Sequence, residues 1–327
     1  MKEPLYFVSN FAGRPGLPEN GEGMSVLTQD LDCLFIGSST KDILMVVDAP
    51  PASDQRISAS HFTITCGGVS NIAGAAHQNL GGVTGVISAV GGDETSDFIR
   101  QFQEEQGFAY TKLFTFPDQF SSTSLVQVEK NGKRCLTCFG GCIDCLTFDM
   151  LDKDLFHHTR MVHLGVMRPE LMLEICRYCK ENTQALISID SGNLSRENTD
   201  LLLPYTDIFI PDNKTVAKTL GGSVEDACRY YISHGAKIAC VTSGEEGTCA
   251  FDGTQMYHIG APKVHVLDTT GAGDNFHGAF LYCLGQGMEL PQAVKFANIY
   301  ASLTCEGLGG HTVVPTREQV MARFDTI

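Results

Sequence analysis

The residues with the clearest chemical content lie at 268–280, DTTGAGDNFHGAF, between a strand-like stretch at 263–267 (KVHVL) and a helical pattern. Gly271 and Gly273 carry no Cβ where the chain turns into that helix. The N–H groups of Gly271, Ala272, Gly273 and Asp274 are therefore expected around a helix N-terminus, where unpaired backbone donors and the helix dipole favour an anion. Asp274 falls in the first turn, beside this pocket. A carboxylate there can take the proton from an attacking hydroxyl while the N–H groups hold the charge that develops on a transferred group. An Asp at the start of a helix is also an ordinary cap. The segment alone leaves both readings open.

Such a pocket needs a rigid frame, and the hydropathy pattern supplies one. Residues 33–37 (CLFIG) read as a buried strand, and 70–80 as a helix with Ser70 as N-cap, closed by Gly81 and Gly82. A strand follows at 83–90, then a helix capped by Asp93 that runs to about Gln106 and ends at Gly107. Later segments continue the alternation: a helix at 169–182, strands at 185–190 and 207–211, a helix at 223–234 ended by Gly235, and a strand at 237–242. Helices at 274–286 and 291–305 close the chain. Short apolar strands alternating with amphipathic helices predict an α/β fold with a mostly parallel sheet covered on both faces. Two segments break the pattern. Residues 43–66 hold strand-like pieces without a helix, and 123–138 read as a hairpin around Asn131-Gly132, whose two turn positions need φ > 0. Together they predict a small β-lid. The body then comprises 31–42, 67–122 and 139–327, and residues 1–30, rich in Gly, Pro, Glu and Asn, form an N-terminal extension in which Met24 offers an alternative start.

The 268–280 segment resembles the C-terminal signature of the ribokinase-like (PfkB) carbohydrate kinase family. Residues 67–82, GGVSNIAGAAHQNLGG, resemble that family's N-terminal pattern through Gly67, Gly68 and Asn71. Gly37 and Asp42 in GSSTKD are similar to its first-strand Gly and the Asp that grips sugar hydroxyls, and VTSGEEG supplies Thr242, Gly244 and Gly247 for a nucleotide-phosphate loop. The resemblance runs from about residue 31 to the C-terminus. It implies a three-layer α/β sandwich with a β-sheet lid, and transfer of the γ-phosphoryl group of ATP to a primary hydroxyl of a sugar or sugar derivative. It further implies Asp274 as base, Asp42, Gly67, Gly68 and Asn71 at the acceptor, Asn298 beside the adenine, Mg2+ on the nucleotide, and K+ held by Asp268 and Thr270 with the 305–313 loop. A homodimer paired through the lid is expected, as is a cytoplasmic location. Rival readings are a nucleoside kinase of the same fold and a sugar-binding protein with little catalysis. Three departures stand out. The family's Asn-x-x-Glu is replaced by PDNKTVAKTLGG, where Asp212 or Asn213 stands for the Asn and the Glu is missing; its Gly-Ala-Asn is Gly140, Gly141, Cys142; and its Asp-x-Asn is stretched to Asp190 and Asn193.

Bulk properties narrow the classes. A net charge of −15 argues against nucleic acid and anionic membranes as partners, because phosphate contacts need clustered Lys and Arg. No run reaches the ~20 apolar residues of a membrane span. Neither a GxxxxGK[ST] loop nor an HRD or DFG set is present, so other phosphotransferase signatures do not compete. Lys41, Arg56, Lys133 and Arg134 lie in or beside the lid, where solvated charges are the default and contact with an anionic acceptor the alternative. The 13 cysteines include a C-x2-C-x3-C-x2-C run (Cys135, Cys138, Cys142, Cys145) and the pair Cys176 and Cys179. Residues three apart on a strand face opposite ways, so packed free thiols are expected over a metal cluster.

Overall fold

The computed structural model describes residues 29–130, 132–192 and 194–326. The 1–30 extension therefore falls almost wholly outside the described residues, as do Asn131 of the hairpin turn and Asn193. Thirteen strands are formed among the described residues: β1 (Leu31–Ile36), β2 (Thr40–Val47), β3 (His61–Gly67), β4 (Thr84–Gly91), β5 (Tyr110–Phe116), β6 (Ser122–Glu129), β7 (Arg134–Phe139), β8 (Thr159–Leu164), β9 (Leu186–Asp190), β10 (Ile208–Ile210), β11 (Ile238–Thr242), β12 (Thr248–Phe251) and β13 (Met256–Ile259). The helices are α1 (Val69–Asn79), α2 (Glu94–Gln106), α3 (Pro169–Asn182), α4 (Arg196–Leu202), α5 (Asn213–Thr219), α6 (Val224–Ser233), α7 (Ala272–Gly285), α8 (Leu290–Thr304) and α9 (Arg317–Met321).

Nine strands make one sheet in the order β13-β12-β11-β10-β9-β8-β1-β4-β5. Its strands run parallel from β11 to β5, and the antiparallel β12 and β13 finish one edge. Buried on both faces, the central strands are continuously apolar, as in CLFI of β1. Residues of α1, α7 and α8 pack against one face, and those of α3 and α6 against the other. The chain order reverses between β1 and β8, which opens a crevice at the carboxyl ends of those strands. Gly37 and Gly165 meet there: a Cβ on Gly37 would lie 2.3 Å from the Gly165 carbonyl oxygen.

The other four strands form a second sheet, β3-β2-β6-β7. Its register places Asp42 opposite Thr65 and Ser124, Ser124 opposite Cys138, and Val128 opposite Arg134. With the two-residue period of strands, these side chains share one face with Leu44 and Val126. Leu44, Val126 and Val128 are buried there, with Leu308 of the 305–313 loop packed on them. The opposite face leaves Phe62, Ile64 and Leu125 exposed. This sheet spans the segments expected to form a lid, with its strands starting three residues earlier at β2 and reaching one residue further at β3, β6 and β7. Asp42 belongs to β2 of the lid sheet, which starts at Thr40, so the body segment stops just short of it.

Three local readings are corrected. Gly68, not Ser70, is the N-cap of α1; Ser70 is buried in the first turn, where its hydroxyl donates to the carbonyls of Gly37 (3.1 Å) and Ser38 (3.0 Å) at the end of β1. Asp93 is the N-cap residue of α2, but its carboxylate accepts from the backbone and hydroxyl of Ser121 instead of from the helix. Residues 263–267 form no strand, because the N–H groups of Leu267 and Asp268 both donate to the Cys305 carbonyl at the end of α8. Other bounds agree closely: α3 spans Pro169–Asn182, with Pro169 where its missing N–H costs nothing, and α2 ends on Gly107 in the left-handed conformation. No helix among the described residues is long and apolar enough to cross a membrane.

Candidate active site

Helix α7 begins at the open end of the crevice. Its N-cap, Gly271, has φ +73°, and a Cβ there would sit 2.6 Å from the Cα of Gly310. Only glycine meets both conditions, so the turn into α7 and the 305–313 loop are packed backbone to backbone. Asn275 fixes the contact: its amide donates to the carbonyls of Gly271 (2.9 Å) and Gly310 (2.8 Å). The N–H of Ala272 donates to the Thr269 carbonyl at 3.3 Å, which corrects the expectation that it faces an anion. Those of Gly273 and Asp274 have no protein acceptor among the described residues. A Cβ on Gly273 would meet no atom within 4 Å, so this first turn faces open space. An anion fits there, held by two N–H groups and the helix dipole.

Asp274 stands beside these donors. Its carboxyl is pushed up to about 7, first by burial, then by the nearby charge of Asp190 and more weakly by Asp42, with Arg134 pulling the other way. Asp42 is buried on the inner face of the lid and is pushed up to about 6, again mainly by burial, with Asp268 adding to the rise. The nearby hydroxyls of Ser124 and Thr40 oppose the rise, as does Arg134, although the bond that the Ser124 hydroxyl makes in the structure is to Cys138 Sγ (3.6 Å). Gly67 faces this carboxylate so closely that a Cβ would lie 2.1 Å from Asp42 Oδ2. Asp42, Asp190, Asp268 and Asp274 thus converge from four parts of the chain, and Arg134 is the cation common to Asp42 and Asp274. A solvated lid charge is the default for Arg134 in the sequence, and no motif there singles out Ser124 or Thr40. The two-residue strand period from the Asn131-Gly132 turn was the available signal. Lys41 is different: it lies on the other face of β2, with its ammonium 5.7 Å from the centre of the Phe98 ring. Arg56 is exposed in the irregular segment between β2 and β3.

Several expected ligand contacts are engaged within the protein. Asn71 is fully buried in α1; its Nδ2 donates to Cys66 Sγ (3.1 Å) and the Gly67 carbonyl (3.4 Å), while its Oδ1 accepts from Gln103 (2.9 Å). Asn71 therefore shapes the Gly67-Gly68 turn and offers no free amide proton to an acceptor. Gly68, with φ +90°, lets the chain pass against Ser38 and Ser39. Asn298 behaves like Asn71. Its Nδ2 donates to the carbonyls of Ile259 and Gly260, and its Oδ1 accepts from Thr248 Oγ1 at 2.7 Å, so it ties α8 to the β12–β13 edge. Thr242 ends β11, and the following loop turns tightly through Gly244 and Gly247, both at positive φ, with Ser243 N–H donating to the Gly247 carbonyl at 2.7 Å. Asp212 caps α5 by accepting from Thr215 N–H at 2.7 Å, and it bridges to Thr242. Asp268 is buried and accepts three hydrogen bonds: two from Thr270, backbone (2.9 Å) and hydroxyl (2.7 Å), and one from Gly309 N–H (2.8 Å). The cysteine run does not converge. Cys135 and Cys138 are exposed on β7, Cys142 is buried beyond it, and Cys176 and Cys179 are packed in the core under α3.

Comparison with known proteins agrees with this geometry. Residues 30–317 match the pfkB family of carbohydrate kinases, and the chain belongs to that family as an ATP-dependent carbohydrate kinase. It is 27% identical over 303 residues to a ribokinase of Staphylococcus aureus, covering 88% of this chain and 97% of that one. It is 23% identical over 305 residues to a nucleoside kinase of Methanothermobacter thermautotrophicus, covering 91% and 97%. The solved ribokinase structure from Giardia lamblia superposes with a TM-score of 0.83 at 20% identity, over 92% of this chain and all of that one, which establishes the fold.

The elevated carboxyl of Asp274 has a measurable effect on stability. Its folded value of about 7 lies above the ordinary 3.8 of an unfolded chain, so ionisation opposes folding. The cost is absent below the unfolded value, grows as pH rises between the two, and is complete above the folded one. Asp274→Asn should therefore unfold at a higher temperature than the parent at pH 8, with the gain vanishing by about pH 4. Thermal scans across that range check this; a gain that does not change with pH would contradict it.

Proposed function

We propose that the chain transfers the γ-phosphoryl group of ATP to a primary hydroxyl of a sugar or sugar derivative, with Asp274 as the base. What carries this reading is the placement of a carboxyl poised near neutrality in the same helical turn as two unengaged N–H groups facing open space. A base works best when its pKa lies close to the working pH, and donors aimed at the transferred group stabilise its charge without reorganising. Asp42 supports the acceptor end, since a carboxylate on the inner face of the lid can accept from adjacent hydroxyls. Mg2+ belongs with the nucleotide phosphates and its own water shell, because Asp212 is engaged as a helix cap and the family's Glu is missing. Asp268 closes the loop through Thr270 and Gly309, and its remaining lone pair leaves a place for a monovalent cation beside these bonds.

An acceptor panel of pentoses, hexoses and nucleosides with coupled ADP detection tests the substrate class. Turnover confined to nucleosides would replace the sugar with the acceptor named for the Methanothermobacter relative. On the best acceptor, Asp274→Asn should lower kcat by about 10² or more while ATP binding stays near that of the parent. The parent's kcat/KM should fall on the acid side of about pH 7. Near-normal kcat in the variant removes Asp274 from its role.

Asp42→Ala should raise the acceptor KM about ten- to a hundredfold through hydroxyls left unpaired in a closed site, with little change in ATP binding. Equal kcat/KM in variant and parent would move the acceptor elsewhere.

The lid's outer face supports a homodimer, as its exposed Phe62, Ile64 and Leu125 form an apolar patch of the kind that marks a contact surface. Light scattering at micromolar concentration should give twice the chain mass, and Ile64→Lys should shift it toward monomer. A monomeric parent refutes pairing.

A further inference from the structure

Away from the crevice, the first turn of α6 faces the edge hairpin β12–β13. Cys249 and His258 are direct cross-strand partners, so their side chains leave the same face of the hairpin. Glu225, in the first turn of α6, stands over that face. A carboxylate oxygen of Glu225, the thiol sulfur of Cys249 and a ring nitrogen of His258 all lie within 4.8 Å of one another. No other group of three His, Cys, Asp or Glu residues among the described residues meets that spacing. Glu225 Oε1 and His258 Nε2 are 3.5 Å apart. Two ligands on one tetrahedral zinc ion are separated by about 3.3–3.6 Å, given its bond lengths of about 2.0–2.3 Å. The pair is therefore already at ligand spacing, and Cys249 Sγ must close by about 1 Å or a little more. Rotation of the partly exposed Glu225 and His258 side chains can supply that.

We infer that Glu225, Cys249 and His258 form a zinc-binding site that ties α6 to the edge of the sheet. The donor set is one carboxylate oxygen, one imidazole nitrogen and one thiolate sulfur, which suits a borderline ion and disfavours Mg2+ or Ca2+, whose ligands are oxygens. Met256 Sδ lies 3.4 Å from Cys249 Sγ, and Cys228 Sγ donates to the Cys249 carbonyl at 3.6 Å, so the thiol sits among further sulfur atoms. Three protein ligands leave one position open. Glu225, Cys249 and His258 line a cavity of about 290 Å³ together with Ser243, Glu246, Gly247 and Gly260, with room for a water or a small anion as fourth ligand. Without an ion, His258 and Glu225 form a surface ion pair and Cys249 is a core thiol donating to Met256 Sδ, so what points to zinc is the meeting of the three groups at one cavity wall.

The test uses the full chain, reduced and stripped with a chelator, titrated with Zn2+ by calorimetry. One ion per chain is expected, with a rise in the thermal midpoint on loading, since an ion held by the native state alone stabilises it. Cys249→Ser, His258→Ala and Glu225→Gln should each weaken binding at least tenfold. His258 is exposed, so its variant guards against misfolding in the buried Cys249→Ser. Co2+ should give the absorption band of a cobalt–thiolate bond in the parent, and this band should be lost in Cys249→Ser. The double variant Cys135→Ser/Cys138→Ser, which removes the exposed thiols of β7, should keep both the stoichiometry and the band. The inference is overturned if the parent binds no stoichiometric ion, if Cys249→Ser and His258→Ala bind as the parent does, or if binding disappears with Cys135 and Cys138.

Discussion

Like charges held in a cleft of low dielectric repel one another, and Asp42, Asp190, Asp268 and Asp274 are brought together in one. Their surroundings answer this constraint in different ways. Asp268 has three donors and becomes a structural staple. Asp42 has the hydroxyls of Ser124 and Thr40 and a glycine in place of any competing side chain. Asp274 has neither set of donors, and its carboxyl is left near neutrality, with Arg134 as a partial counterweight. The reactivity that we propose for Asp274 follows from what the fold withholds from it, much as pairs of carboxyls elsewhere are driven to different roles by unequal environments.

The frame around the cleft was largely legible in the sequence. Alternating apolar strands and amphipathic helices implied the parallel sheet, and the helix expected at about 169–182 is α3. The placement of Gly271, Gly273 and Asp274 at the start of a helix was legible because a helix N-terminus is a local arrangement. What escaped depends on partners distant in the chain. Ser70 reads as a cap, which would accept from a backbone N–H, yet its hydroxyl donates to the carbonyls of Gly37 and Ser38 once β1 lies alongside. Residues 263–267 have strand composition, but their donors find Cys305 instead of another strand. Asn71 and Asn298 look like ligand contacts in a motif. Gln103 and Thr248, which occupy their carbonyl oxygens, are visible only in three dimensions. Arg134 needed the strand register, which sets it on the face that carries Asp42.

The two asparagines share a lesson about motif residues. Each has an amide that could face a ligand, and each instead fixes the backbone that does. Asn71 holds the Gly67 carbonyl and so the turn against which Asp42 packs. Asn298 holds the β12–β13 edge next to the Gly244–Gly247 loop. A buried amide with all its bonds made is rigid and costly to replace, which suits a site whose donors must stand at fixed distances.

The position of Asp42 on β2, one strand into the smaller sheet, has a consequence for how such a chain can diversify. The base and anion pocket that we propose are encoded in the last third of the sequence, whereas Asp42, which we propose for the acceptor, the hydroxyls beside it and Arg134 are encoded between residues 40 and 134. On that proposal, substitutions in the earlier stretch reshape which alcohol is admitted without disturbing α7. A sheet of four short strands is thus an inheritable unit of preference, separable from the machinery it serves, and a lineage can explore new acceptors there while the reaction itself is conserved.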